Sequence, residues 1–198
     1  MRQGPFELLI LRGDGSPIAE HEIDGKRYIA AEQNLEYKVS VKYYGELDAA
    51  LQQLPVKVRV YVDGKMVNYH YAIYTNETAT FPGFRKDSEA YQAFTFAAHS
   101  QQLRADREGA AGSIGSIKIT VHEAIVSNRP NLQIDFGSIT DTLVGNQEEK
   151  KFWQQPTLKT TRGRVVEEPF RMSAFLYDAV RTEPDATLEI FYHTTDMV

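Results

Sequence analysis

Apolar and polar residues alternate along this chain in short runs. Val56–Val62 reads VKVRVYV and leads directly into Asp63-Gly64-Lys65. Ile114–Val121 reads IGSIKITV, and Ala186–Tyr192 reads ATLEIFY. A period of two sends successive side chains to opposite faces, so each run predicts a strand with one face buried. Glu36–Tyr44, EYKVSVKYY, repeats the pattern. Tyr37, Val39, Val41 and Tyr43 fall on its inner face, and Lys38, Ser40 and Lys42 on a solvated one. Pro5–Leu11, Met66–Tyr74 and Glu89–Ala97 complete the clearest set, and Ile114–Ile125 is long enough to be a central strand.

Turn residues separate these runs. Asp24-Gly25 and Asp63-Gly64 are strong short-hairpin signals, and Arg12-Gly13-Asp14-Gly15-Ser16-Pro17 is a turn cluster. Thr75–Lys86 reads as a loop around Pro82-Gly83, Leu47–Leu54 as a helical turn or loop, and Asp178–Asp185 as helix or turn. Ala98–Gly112 joins mixed charge to Gly-Ala-Ala-Gly. It is expected to be an exposed excursion between two strands, open to trypsin at Arg104 and Arg107. Ser127–Gln147 is polar and irregular, and Lys150–Arg164 reads as a long connection. Eight to ten strands result, with no long helix. The expected fold is all-β: a two-sheet antiparallel β-sandwich, jelly-roll-like or immunoglobulin-like, with short helical turns, as a single domain over residues 1–198.

Composition narrows the chemistry. The chain has 198 residues, enough for a substantial core, and no cysteine. That removes disulfides, thiolate nucleophiles and cysteine metal ligands, and fits a reducing compartment. A formal charge of −5 disfavours general binding to a phosphate backbone. The N-terminal apolar stretch Phe6–Leu11 contains Glu7 and is too short for a secretory signal, and no run approaches the length of a membrane span. The expected location is intracellular, cytoplasmic or nuclear.

The order of these elements resembles an uncharacterised β-sandwich domain family, common in fungi and found in other eukaryotes and large DNA viruses. The residues that carry the resemblance are Glu22–Glu32, the V-x-V-x-V-D-G run Val58–Gly64, Phe94-Thr95-Phe96, Gly115–Val121, Lys151–Gly163 and Leu188–His193. It extends over about residues 5 to 196. It implies a β-sandwich and transfers no activity, cofactor or site residue.

Catalytic signatures are missing from the sequence. His21, His70, His99, His122 and His193 include no i,i+4 pair, so no helical zinc site is spelled. There is no G-x-S-x-G, and Gly112-Ser113-Ile114-Gly115-Ser116 lacks the Lys-Ser/Thr of a phosphate loop. No catalytic, cofactor or metal residue is assigned. Arg12-Gly13-Asp14 reads as turn chemistry rather than an adhesion signal. Lys38, Lys42, Lys57, Arg59 and Lys65 interleave with Tyr37, Tyr43, Tyr44 and Tyr61, a pattern that serves single-stranded nucleic acid elsewhere. Here alternation sends most of the rings to the opposite face, which leaves a lysine-studded solvent face.

Aromatic clusters are the candidates for interaction. Tyr69, Tyr71, Tyr74, Phe81 and Phe84 lie along a strand and its following loop, and Phe152 and Trp153 stand near Pro156. Each reads equally as an interface anchor or as packing. The functional expectation is a non-catalytic module for protein–protein interaction or assembly, whose partner is another protein or a second copy of itself. A structural component of a virus particle, and a small-ligand binder or enzyme on a β-sandwich, are the alternatives.

Overall fold

Each run with a clean two-residue period forms a strand whose apolar face turns inward. The computed structural model describes residues 1–45, 54–100, 115–130, 156–170 and 175–194. Its strands are β1 (Arg2–Gln3), β2 (Phe6–Arg12), β3 (Glu20–Ile23), β4 (Lys26–Ala31), β5 (Glu36–Tyr43), β6 (Val56–Val62) and β7 (Lys65–Ile73). The remainder are β8 (Thr78–Phe81), β9 (Gly83–Arg85), β10 (Ala90–Ser100), β11 (Ser116–Pro130), β12 (Pro156–Glu167), β13 (Phe175–Ala179) and β14 (Ala186–Thr194). They form two sheets. The first runs β1-β2-β5-β10-β12, with β8 beside β5 and β9 beside β10. The second runs β3-β4-β14-β11-β6-β7, with β13 beside β11.

The two sheets pack on one another as a sandwich. Leu8, Ile10, Tyr37, Val39, Phe81, Phe94 and Phe96 from the first sheet meet Ile29, Val58, Val60, Ile117, Ile119, Leu188 and Ile190 from the second in one cluster. Burying each large side chain contributes about 1.5–3 kcal/mol. As expected, β11 is central, flanked by β14 and β6, and Asp24-Gly25 and Asp63-Gly64 are hairpin turns.

Several expectations change. Among the described residues there is no helix, so Asp178–Asp185 forms none, and residues 47–53 of the other expected helical turn lie outside the described residues. Thr75–Lys86 holds β8 and β9, because β5 and β10 diverge and these short strands complete their pairing. Ala98–Ser100 continue β10 against β12, residues 101–112 of that expected loop lie outside the described residues, and Ser127–Pro130 extend β11. Pro156–Glu167 is a twelve-residue strand, held chiefly by its backbone ladder to β10. Asp178 and Ala179 belong to β13, which pairs with the far end of β11. Pairing is antiparallel except between β4 and β14, where Phe191–Thr194 run parallel to Tyr28–Ala31. Ser40 is buried rather than solvated, between its cross-strand neighbours Leu9 and Thr80.

One polar cluster interrupts the apolar interface. The β6–β7 turn has φ of 52° at Asp63 and 82° at Gly64, the left-handed pair favoured in a two-residue hairpin. Asp63 turns inward and is 9 % exposed. Its Oδ1 accepts from the Tyr192 hydroxyl at 2.6 Å and the Gly115 N–H at 2.7 Å. Its Oδ2 accepts from the Thr160 N–H at 2.8 Å. Thr160 Oγ1 stands 3.1 Å from the Tyr192 hydroxyl and 2.5 Å from that of Tyr37. Tyr37 and Thr160 belong to the first sheet, Asp63 and Tyr192 to the second. Burial raises the Asp63 carboxyl above its ordinary 3.8, against hydrogen bonds from Tyr192, Thr160, Gly115 and Ser116 that lower it. Burial also keeps the Tyr37 and Tyr192 hydroxyls protonated, well above the usual phenol range.

Asp63→Asn places an amide donor where backbone N–H groups already donate, and removes the charge that strengthens the surviving bonds. It is expected to lower stability by about 3 kcal/mol, and Tyr192→Phe by about 1–2 kcal/mol, in urea unfolding. An Asp63→Asn variant as stable as the parent defeats this account of the interface.

His70 gives a pH signature. Its cross-strand neighbour is Arg59, and burial, then Lys57 and Arg59, lower its pKa from 6.5 to about 4. The folded form therefore keeps His70 neutral where the unfolded chain takes up a proton. Its contribution is complete above pH 6.5 and is lost as pH falls toward 4. Asp63, shifted upward, acts in the opposite direction over acidic pH, so the comparison of parent with His70→Gln isolates the histidine. Between pH 7.5 and 4.5 the parent should lose about 2 kcal/mol more than His70→Gln in denaturant titrations. Equal losses remove His70 as the cause.

Candidate functional site

A groove opens where the first sheet divides. β5 and β10 pair only at Tyr37–Phe94 and Glu36–Thr95. Beyond that point β5 takes β8 as its neighbour and β10 takes β9. Pro82 turns the chain between the two, with its carbonyl accepting the Phe94 N–H at 3.2 Å. The space alongside is about 860 Å³, lined by Lys38, Thr80, Pro82, Tyr71, Tyr91 and Arg85, with Val166–Pro169 closing one side.

Two glycines allow this geometry. A Cβ on Gly83 would lie 2.0 Å from the Gln92 carbonyl oxygen, and one on Gly163 would lie 2.1 Å from Thr95 Oγ1. Gly163 and Arg164 stand opposite the single Ala93 in the β10–β12 ladder, a bulge flanked by the pairs Gln92–Val165 and Phe94–Arg162. Bulges bend a strand and redirect its side chains, and this one ends two residues before Val166 at the groove.

Arg85 holds the floor together. It is 2 % exposed, with its guanidinium 5.0 Å from the Phe170 ring centre and 5.7 Å from that of Tyr91. Its Nη1 donates to the Glu168 carbonyl, which ties β9 to the chain after β12. The Asn68 amide of β7 donates to the Arg85 carbonyl at 2.9 Å and accepts from the Arg85 N–H at 3.2 Å. A side chain of the second sheet thus supplies the pairing that a neighbouring strand would give in the first. The Tyr69 hydroxyl donates to the Gly83 carbonyl at 2.8 Å. Burial raises the pKa of Tyr69, Tyr71 and Tyr91, so all three hydroxyls remain protonated at neutral pH.

The candidate residues distribute unevenly. Tyr69, Phe81 and Phe84 are buried in the core. Tyr71 is half-buried, packs its ring on Phe81 at 4.8 Å and reaches the groove. Tyr74 is 43 % exposed and stands apart, with its ring 6.3 Å from Tyr177. Arg104, Arg107, Phe152 and Trp153 lie outside the described residues. Arg85, Asn68, Tyr91 and Glu168 did not emerge from the sequence, since a cation buried by ring stacking and an amide that imitates a strand leave no local pattern. Lys38 and Lys42 lie on β5 of the first sheet, whereas Lys57 and Arg59 lie on β6 and Lys65 on β7 of the second, so the five basic residues do not form one stripe.

The groove offers rings, prolines, hydroxyls, one lysine and two glutamates. Among the described residues no histidine lines it. Among the described residues no group of three or more His, Asp or Glu is placed to hold a metal ion, and no helix is long and apolar enough to cross a membrane.

Residues 14–194 match the family model described as a domain of unknown function, DUF7918, and the chain belongs to that family. No curated protein and no solved structure matches the chain.

Replacing Gly83 with alanine forces either β9 or the backbone at Gln92 to move. Gly83→Ala should lower stability by about 3 kcal/mol or more. Gly13→Ala, which meets only ordinary contacts at 3.7 Å, should stay within about 0.5 kcal/mol of the parent. Thermal or urea unfolding of the pair tests whether close approach sets the groove; similar values for both variants reject it.

Proposed function

We propose that this protein is a non-catalytic, intracellular module for protein–protein interaction or assembly, acting as a single domain. The observation that carries the reading is the groove beside Pro82. Tyr71, Pro82, Val166 and Pro169 offer apolar contact along it, with Lys38 and Glu167 giving charge of both signs. Extended polypeptide suits such a surface: apolar contact supplies affinity, and the charges set direction and register. The buried Arg85 and its partners keep the groove pre-formed, which reduces the ordering needed on binding.

The volume of about 860 Å³ also suits a small molecule. This favours a ligand binder as the second reading. The two readings differ in what remains bound to the purified protein.

The test compares the parent with Lys38→Glu and Val166→Asp, two changes on the groove wall. Tagged forms are recovered from native extract, sized by sedimentation and analysed by quantitative mass spectrometry. The parent should recover a defined protein partner or a second copy, and each variant should reduce that recovery by about tenfold. Recovery of the parent only as a free monomer, or with a small molecule that the variants lose, overturns the interaction reading.

A further inference from the structure

The outward face of the second sheet concentrates basic charge. Inward positions on its strands are apolar: Ile29, Leu188, Ile190, Ile117, Ile119, Val58 and Val60 are all fully buried. The alternate positions point away from the core. Cross-strand register aligns Thr120 with Arg59 and Arg59 with His70, places His122 beside Lys57, and sets Lys118 between Glu189 and Tyr61. At the other side, Phe191 neighbours Tyr28. Lys26, Lys57, Arg59 and Lys118 therefore share a face with Glu189, while the whole chain carries −5.

We propose that this face, from β4 across β14 and β11 to β6, docks an acidic segment of a partner protein. It is separate from the groove of the first sheet and does not rest on the reading given to that groove. Three interstrand spacings span about 14 Å, the reach of about four extended residues.

The local contacts of the cations support this assignment. Lys57 donates to the Tyr177 carbonyl at 3.4 Å, and Arg59 Nη1 lies 3.1 Å from Met66 Sδ. Lys118 Nζ sits 4.7 Å from the Tyr61 ring centre, and Lys26 Nζ sits 5.3 Å from that of Phe191. Among the described residues none of these four cations is in an ion pair. Lys57 is also disfavoured as a cation, first by burial and then by Arg59, with Asp178 opposing both. A carboxylate arriving between Lys57 and Arg59 relieves that repulsion.

The ring contacts distinguish peptide from nucleic acid. Single-stranded nucleic acid binds sheet faces by stacking bases on open rings. Here a lysine covers Tyr61 and another covers Phe191. Tyr28 stacks on His193 at 4.9 Å and leans on Phe191 at 5.5 Å. These rings engage cations and one another, and the overall negative charge opposes a polyphosphate. Carboxylates spaced along a peptide need only the cations.

The test is fluorescence anisotropy with three labelled probes: oligoglutamate, oligoglutamine and a single-stranded oligodeoxynucleotide matched in charge to the first. The parent should bind oligoglutamate in preference to both others. That affinity should fall about tenfold or more between about 0.05 M and 0.5 M salt. Lys57→Glu combined with Arg59→Glu should weaken it by about tenfold or more, and Lys118→Glu should weaken it in the same direction. Lys118→Glu serves as the readout if the double variant fails to fold, with circular dichroism checking each protein. Lys86→Glu, an exposed change beside β9, should have no effect, nor should the groove variants Lys38→Glu and Val166→Asp. Failure to bind oligoglutamate at low salt, or binding that survives reversal at Lys118 and at the Lys57–Arg59 pair, overturns the proposal. Tighter binding of the oligonucleotide, lost through the same reversals, also overturns it and makes the face a nucleic-acid surface.

Discussion

The sandwich depends on a carboxylate placed where two apolar sheets meet. Hydrophobic burial drives the sheets together without specifying their offset, because apolar contact has little directional preference. Asp63 supplies direction. A hairpin turn with two left-handed residues delivers it from the second sheet, and it accepts from Thr160 of the first sheet and from Tyr192 and Gly115 on the second side. Sliding either sheet along the other would leave a buried charge with missing donors, a penalty larger than that of one lost apolar contact. The Tyr37 hydroxyl extends the same network into β5. One short turn therefore fixes the relation between strands far apart in the chain.

With the offset fixed, the divided first sheet has a defined consequence. β5 and β10 cannot remain neighbours along their whole length, and the corner at Pro82 carries pairing from one to the other. That corner would be loose without its own attachments. Asn68 pairs with the backbone of Arg85, Tyr69 bonds to Gly83, and Arg85 reaches the chain beyond β12. The groove is thus a by-product of strand divergence, made rigid by contacts from both sheets. Its apolar lining includes side chains that also serve the core margin, which explains why Tyr71 packs against Phe81 and still reaches the groove.

The sequence reveals strands when burial is one-sided and hides them when backbone pairing does most of the work. VKVRVYV and EYKVSVKY are visible because their inner positions are apolar and their outer positions are mostly polar or aromatic. PTLKTTRGRVVE is not visible: Leu158 is its one core residue among the described side chains, and the bulge at Gly163–Arg164 breaks the period. β8 and β9 are too short to display a period at all. The site follows the same rule. Tyr71 is evident as an aromatic residue on a hairpin strand, but the burial of Arg85 depends on Tyr91, Phe170 and Glu168, which are distant in sequence. A period-two reading locates faces within a strand; it does not say which strands share a sheet, and so the basic residues of β5 and β6 looked adjacent when they belong to different sheets.

Strand addition is the simplest way for a β-sandwich to bind another chain, since an unpaired edge offers a row of donors and acceptors. β12 is the long edge of the first sheet, pairing only with β10 among the described residues. It is poorly shaped for that role. Lys159, Arg162, Arg164 and Glu167 place charge along it, and the bulge interrupts its regular ladder. Both features oppose edge-to-edge association. At the other sheet, β3 is four residues long and mostly exposed, which limits the number of ladder bonds it can add. Recognition by side chains on a groove or a sheet face has neither restriction. It also separates stability from binding: the inner face of each strand can hold the core constant while the outer face carries charge or rings. In that arrangement the alternation that builds the sandwich is also what supplies its surfaces for recognition.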